Sequence, residues 1–151
     1  MRSVLLTIPP GPVPPYEQRD GGTETIAAEL PETVAELLRG LAGRSSLPDG
    51  RGMLFDLRTP GYWPFSTRDM LFPLDLVMLQ DDGLVVEIAR DVPPQAAPVV
   101  GEIPYSWVLE LPGGWSRRTA GRLMPGHVVR PVPPYGGIRT GPGWQLRDLR
   151  H

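Results

Sequence analysis

Arg68, Asp69 and Asp75 place one guanidinium and two carboxylates within a stretch of eight residues. An arginine so placed could hold a carboxylate or phosphate while a nearby aspartate acts as a base or a metal ligand. The same residues have a plainer use, which is favoured. Asp75 can bond loop amides at the start of a hairpin, and Arg68 can pair with a neighbouring acid. His127 is one of two histidines, the other being His151. A catalytic triad needs a serine in reach of the imidazole, and no Gly-x-Ser-x-Gly elbow presents one. A zinc site would need carboxylate partners that the spacing does not point to, so no metal is expected and His127 reads as a turn residue after Pro125-Gly126. Asp81 and Asp82 stand beside Gly83 and read as turn residues rather than as paired glycosidase acids. Of the tryptophans, Trp107 reads as core. Trp63 and Trp115, near Tyr62 and Arg117-Arg118, leave room for a small aromatic cleft that could stack on a sugar or a base.

Composition removes whole classes of chemistry. There is no cysteine, which excludes disulfides, thiolate nucleophiles, iron–sulfur clusters and cysteine-based zinc sites. All fifteen basic residues are arginine, so a Schiff-base lysine and a Walker-type phosphate loop are excluded as well. No Gly-x-Gly-x-x-Gly fingerprint supports a dinucleotide, and no cofactor is expected. A formal net charge of -2 gives no basic field for nucleic acid or an anionic membrane. Ser3 to Ile8 is apolar but too brief for a signal-peptide core or a membrane span. The expectation is a soluble protein, cytoplasmic or part of a particle.

The elements that must position these residues follow from periodicity and punctuation. A length of 151 residues with 40% hydrophobic residues suits one domain. Thr23 to Glu29 reads as a strand. Val34, Leu37, Leu38 and Leu41 then recur at helical spacing behind Pro31, so a helix is expected over 32–42, ended by Gly40 and Gly43. Met53 to Leu57 reads as a buried strand closed by a Thr59-Pro60-Gly61 turn. Leu71 to Leu79 and Leu84 to Ala89 read as a hairpin around Gln80-Asp81-Asp82-Gly83. Ser106 to Leu111 is a further strand before Pro112-Gly113-Gly114, and Val128-Val129 could add a last one. Residues 1–22 carry Pro9, Pro10, Pro12, Pro14 and Pro15 and are expected to supply neither a helix nor a central strand.

Several separated blocks resemble the domain of unknown function 192 family over about residues 23–130. They are Ile26 to Leu41, Gly43-Arg44-Ser45-Ser46-Leu47-Pro48 with Gly52-Met53-Leu54-Phe55, Leu71-Phe72-Pro73-Leu74-Asp75, Val108 to Gly114, and Pro125-Gly126-His127-Val128. The resemblance implies an α+β domain of mostly antiparallel strands with one short helix, and it supplies no reaction. The family usually carries Phe-Trp-Met-Lys-Asn-Thr where this chain has Phe65-Ser66-Thr67-Arg68-Asp69-Met70, and Gly-Asp where this chain has Gly126-His127. A family binding surface at either place would be altered here.

The pentapeptide Pro-Val-Pro-Pro-Tyr occurs twice, as Pro12-Val13-Pro14-Pro15-Tyr16 and as Pro131-Val132-Pro133-Pro134-Tyr135. The chain therefore reads as a β-rich domain, 23–130, between proline-rich arms 1–22 and 131–151. Such segments favour extended backbone and can dock into aromatic-lined grooves. The expected function is a non-catalytic structural or interaction module whose arms attach it to copies of itself or to a larger assembly, a virion among the options. The alternative is a small-ligand-binding domain, for carbohydrate for example, or a weakly marked hydrolase, using Arg68, Asp69 and Asp75 with Trp63 and Trp115.

Overall fold

The computed structural model describes residues 1–8, 24–118, 123–132 and 144–150. Seven strands form one sheet: β1 Arg2–Ile8, β2 Glu24–Leu30, β3 Arg51–Gly61, β4 Leu74–Leu79, β5 Val85–Val92, β6 Tyr105–Pro112 and β7 Arg130–Pro131, in the order β5-β4-β6-β3-β2-β1-β7. Helix α1 spans Val34–Arg39 and α2 spans Trp115–Arg118, and a 3-10 turn covers Leu146–Leu149. All strand pairs are antiparallel except β2 and β3, which run parallel because α1 carries the chain back between them. The expected β-rich fold with a mainly antiparallel sheet therefore holds, and its helical part is two short helices and a 3-10 turn in place of one short helix. No helix among the described residues is long and apolar enough to cross a membrane.

The sheet curls into a half-barrel, and one segment touches both of its edges. At the β5 edge, Val85 N donates to His127 O and Gly126 N to Val85 O, each at 2.8 Å, and Val129 N donates to Gly83 O at 2.9 Å. At the β1 edge, Leu6 pairs with Pro131 and Thr7 with Arg130, while Val132 N donates to Leu5 O at 2.8 Å. Residues 126–132 thus clasp the two edges together, giving each an occupied hydrogen-bonding row in place of an open one.

The curl divides the apolar residues between two faces. The inner face packs Leu6, Ile26, Leu54, Val77, Leu79, Trp107, Leu109 and Val129 around Trp115 and Leu146. The outer face packs Met53, Phe55, Leu74, Leu76, Met78, Tyr105 and Val108 against Leu41 and Met70. Both faces are covered at β4, which explains why Leu76 to Leu79 reads as a continuous apolar run rather than an alternating one.

Four expectations need correction. The first eight residues are not an arm: Arg2–Ile8 pairs with β2 along its whole length and buries Leu6 and Ile8. Proline limits that strand only from residue 9 onward, so the density of proline over 1–22 concealed it. The segment after residue 130 is not wholly an arm either, because Pro131 is buried in β7 and Leu146 is buried in the inner core. The rest of the arms, including Pro12 to Tyr16 and Pro133 to Tyr135, lies outside the described residues. Thr59-Pro60-Gly61 ends a strand instead of forming a turn. The register between β3 and β6 shifts between Asp56 and Gly61, and a bulge of this kind accommodates Pro60 and the positive φ of 73° at Arg58. Finally, α1 stops at Gly40, so Leu41 reaches the core from outside the helix and Val34 and Leu38 stay exposed.

The hairpin between β4 and β5 turns as expected, with Gly83 at φ 85° and Asp82 Oδ1 accepting from Leu84 N at 3.0 Å. A Cβ on Gly83 would lie 2.0 Å from Val129 O, so the clasp itself requires glycine at this position. Gly83→Ala is expected to lower stability by about 2 kcal/mol or more, read as a lower denaturant midpoint at unchanged m-value.

Candidate functional site

The outer face of the half-barrel is covered by two loops that Thr67 ties together. Its buried hydroxyl donates to Pro93 O at 2.9 Å and accepts from Ala96 N at 3.1 Å, and Gln95 N donates to Thr67 O at 2.8 Å. Phe65 and Val99 add a short antiparallel bridge beside them. With Thr67 turned inward, Ser66, Arg68 and Asp69 are left facing solvent. These three and Gln95, Ala96 and Pro98 line an open cleft of about 680 Å³. Ser66 Oγ accepts from Arg68 N at 3.1 Å. Arg68 has no ion-pair partner among the described residues, so its guanidinium is available to an anion. Gln95 holds φ 59°, a left-handed conformation that a non-glycine residue adopts only when its surroundings impose it.

Asp75 does not share this cleft. It is buried on β4, where Oδ1 accepts from Asp91 N and Gly114 N at 2.8 and 3.0 Å and Oδ2 accepts from Ser116 N at 2.9 Å and from Ser116 Oγ. Ser116 Oγ in turn accepts from Arg90 Nη1 at 2.6 Å, and Arg90 Nη2 donates to Leu123 O at 2.7 Å. Every contact to the Asp75 carboxylate comes from a donor, so its lone pairs hold β5 and α2 in place and none is left for a ligand.

The aromatic candidates separate. Trp63 is partly exposed, with Nε1 donating to Thr59 O at 2.9 Å, and its carbonyl accepts from the Tyr105 hydroxyl. Trp115 lies in the inner core, so it does not join Trp63 in the aromatic cleft that the sequence left room for. Burial alone hid this in the sequence, since Pro112-Gly113-Gly114 had marked a loop. His127 is buried, its Nδ1 accepts from Met124 N at 3.2 Å, and burial lowers its pKa below the ordinary value. The imidazole is a neutral part of the clasp.

Two features had no sequence signal. Glu110 lies on β6 opposite Met53 and Leu76, both members of the outer core. Its Oε2 is buried without a hydrogen-bond partner, and burial pushes the carboxyl up to about 8. At the opposite end of β6, Asp81 Oδ1 accepts from Trp107 Nε1 at 2.8 Å and Ser106 Oγ at 3.0 Å, and Arg150 joins Asp81 to Asp56. Burial opposes ionisation of Asp81, but the hydrogen bonds from Arg150, Trp107 and Ser106 outweigh it and hold the carboxyl below its ordinary value.

The model of the domain of unknown function 192 family, described as uncharacterised ACR, matches residues 16–130. The chain belongs to this family. A crystal structure of a protein of unknown function from Novosphingobium aromaticivorans DSM 12444 is 30% identical. It has a TM-score of 0.71, with 85% of this chain and 84% of that one covered. A candidate transcription regulator from Sinorhizobium meliloti 1021 is 23% identical with a TM-score of 0.74, covering 86% of this chain and 94% of that one, and shares the fold. No curated protein matches the sequence. Within the matched region, Ser66, Arg68 and Asp69 of the block Phe65 to Met70 form one wall of the open cleft.

Glu110 gives the domain an unusual dependence on pH. Its folded-state pKa of about 8 exceeds the ordinary 4.5, so the folded protein retains a proton that the unfolded chain releases between these values. The stabilisation is complete below pH 4.5 and is lost as pH rises toward 8, by at most about 1.4 kcal/mol per pH unit. Glu110→Gln is expected to melt above the parent at pH 8, with the difference vanishing near pH 4. Parallel melting curves across that range would contradict the assignment.

Proposed function

We propose that this member of the domain of unknown function 192 family is a non-catalytic binding domain for a small polar ligand bearing an anionic group, such as a sugar acid. The observation that carries this reading is the cleft between 66–69 and 95–98, where an arginine without an ion-pair partner among the described residues stands beside a carboxylate, a hydroxyl and an amide. Arg68 supplies a planar fork for a carboxylate or phosphate. Asp69 accepts hydrogen bonds from ligand hydroxyls, and Gln95 can both donate and accept. The cleft is open and its polar groups sit on loops anchored by the buried Thr67, an arrangement suited to reversible binding. A general base needs a matched acid or nucleophile in reach of the same ligand atom, and Asp75, the nearest further acid in sequence, is saturated by donors elsewhere.

Calorimetric titration with a panel of sugar acids and their neutral counterparts tests the reading. Binding is expected for the acids and not for the neutral sugars. Arg68→Ala should weaken it by at least about tenfold, the scale of one hydrogen bond to a charged group. Equal affinity for acid and neutral sugar, or for parent and Arg68→Ala, counts against it.

A second reading, a non-catalytic module that docks through its proline-rich segments, is favoured by one feature. Leu5 and Val132 are both exposed where Val132 N bonds Leu5 O, leaving apolar surface at the sheet edge where the second pentapeptide begins. Tyr16→Ala/Tyr135→Ala is expected to reduce self-association measured by sedimentation, and an unchanged mass across concentration removes this reading.

A further inference from the structure

The Arg150 guanidinium occupies a cage assembled from three separate elements. Asp56 on β3 accepts from Arg150 Nε at 3.1 and 3.0 Å and from Nη2 at 2.8 Å. Asp81 in the hairpin turn accepts from Nη1 at 3.1 Å and lies 2.9 Å from Nη2. The guanidinium carbon sits 4.9 Å from the centre of the Trp107 ring. All three guanidinium nitrogens are therefore held by carboxylates while the plane lies against an aromatic face, a geometry that arginine satisfies and lysine cannot.

The cage walls are also held by groups other than their occupant. Asp81 is oriented by Ser106 Oγ and Trp107 Nε1, and Asp56 Oδ1 also accepts from Arg58 N at 2.9 Å. Arg58 Nε lies 3.5 Å from Asp56 Oδ2 at the exposed rim, so two carboxylates face one caged cation and one rim cation. The rigid elements β3, β6 and the clasped hairpin thus preform the site. Asp81 also lines an adjoining open cleft of about 360 Å³ with Gln80, Asp82, Ile103, Pro104 and Arg147, which leaves room for a chain beside the caged side chain. The occupant, by contrast, arrives on the segment Trp144–Arg150, which the eleven residues 133–143, four of them glycine and three proline, connect to the clasp. Fully extended, eleven residues reach at most about 40 Å.

We infer that the Asp56–Asp81–Trp107 cage is a recognition site for an arginine side chain of a peptide, which the segment Leu146–Arg150 fills in cis as an intramolecular competitor. Leu146, buried in the inner core four residues before Arg150, supplies the apolar half of the same recognition. Tethering raises the effective concentration of the cis segment, so an outside peptide gains the site when Arg150 is removed.

The test uses full-length protein carrying Arg150→Ala, or Arg150→Lys should the alanine variant fail to fold. The probes are N-acetyl-arginine amide, N-acetyl-lysine amide and the eight-residue peptide 144–151. The arginine probe is expected to raise the melting temperature of the variant saturably, to leave the parent unchanged, and to lose its effect when Asp81→Asn is added. The peptide should bind the variant at least tenfold more tightly than the same peptide with alanine at 150. Equal action of the arginine and lysine probes, an undiminished effect in the Asp81→Asn background, equal binding of the two peptides, or equal binding to parent and variant each overturns the inference.

Discussion

The hydrogen bonds of residues 126–132 to both edges of the sheet are the constraint on which the remaining structure depends. Without them the remaining six strands would present β1 and β5 as unpaired edges. One strap joining Val85 to Leu5 converts the sheet into a half-barrel with an inside. That inside is where Trp107, Trp115, Val129 and Leu146 pack, and it fixes the glycine at 83, because the strap's carbonyl at Val129 occupies the space of a Cβ. The buried neutral His127 follows as well, since its backbone carbonyl is an acceptor in the strap and its ring closes the turn that begins it.

Acids carry most of the long-range polar organisation, and they do so in different electrostatic conditions. Asp75 is surrounded by donors and stays satisfied within the core. Asp56 and Asp81 share one guanidinium at the barrel end. Glu110 has neighbours that offer it nothing: Met53 and Leu76 flank it across the sheet, and no donor reaches Oε2. A buried carboxyl without donors resolves its desolvation cost by keeping its proton, whereas the donor-rich ones resolve it by hydrogen bonding. Arg68 stands outside these arrangements and faces an open cleft.

Local chemistry was legible in the sequence, and closure was not. Asp82-Gly83 specified the hairpin turn, and apolar runs marked Met53 to Leu57, Leu71 to Leu79, Leu84 to Ala89 and Ser106 to Leu111, each overlapping a strand of the sheet. The strand Arg2–Ile8 was masked by the prolines that follow it, although Leu6 and Ile8 already stand two apart as a half-buried strand requires. The role of Arg150 could not be read, because its partners Asp56 and Asp81 lie 94 and 69 positions away and only the curl brings them together. For the candidate site, Arg68 and Asp69 do line one cleft, while Asp75 and Trp115, near them in sequence or similar in type, turn into the interior. Periodicity assigns a residue to a face only within a regular element, and Phe65 to Phe72 is irregular backbone pinned by Thr67.

Where a ligand can bind follows from how the half-barrel is filled. A small barrel either packs side chains inside or keeps a chamber for a ligand, and the choice is set by the size of the inward residues. Here Trp107, Trp115 and the leucines of β1, β3, β4 and β6 fill the interior, and Leu146 is added from beyond the last strand. A small polar molecule entering that space would displace apolar packing and find few polar partners. Polar side chains gather instead at the margins: the loops over the outer face, where Thr67 holds Arg68 and Asp69 outward, and the barrel end, where Asp56 and Asp81 hold a guanidinium over Trp107. The two margins differ in their charged groups, with an exposed guanidinium at one and two carboxylates holding a guanidinium at the other, so a single ligand class would not suit both.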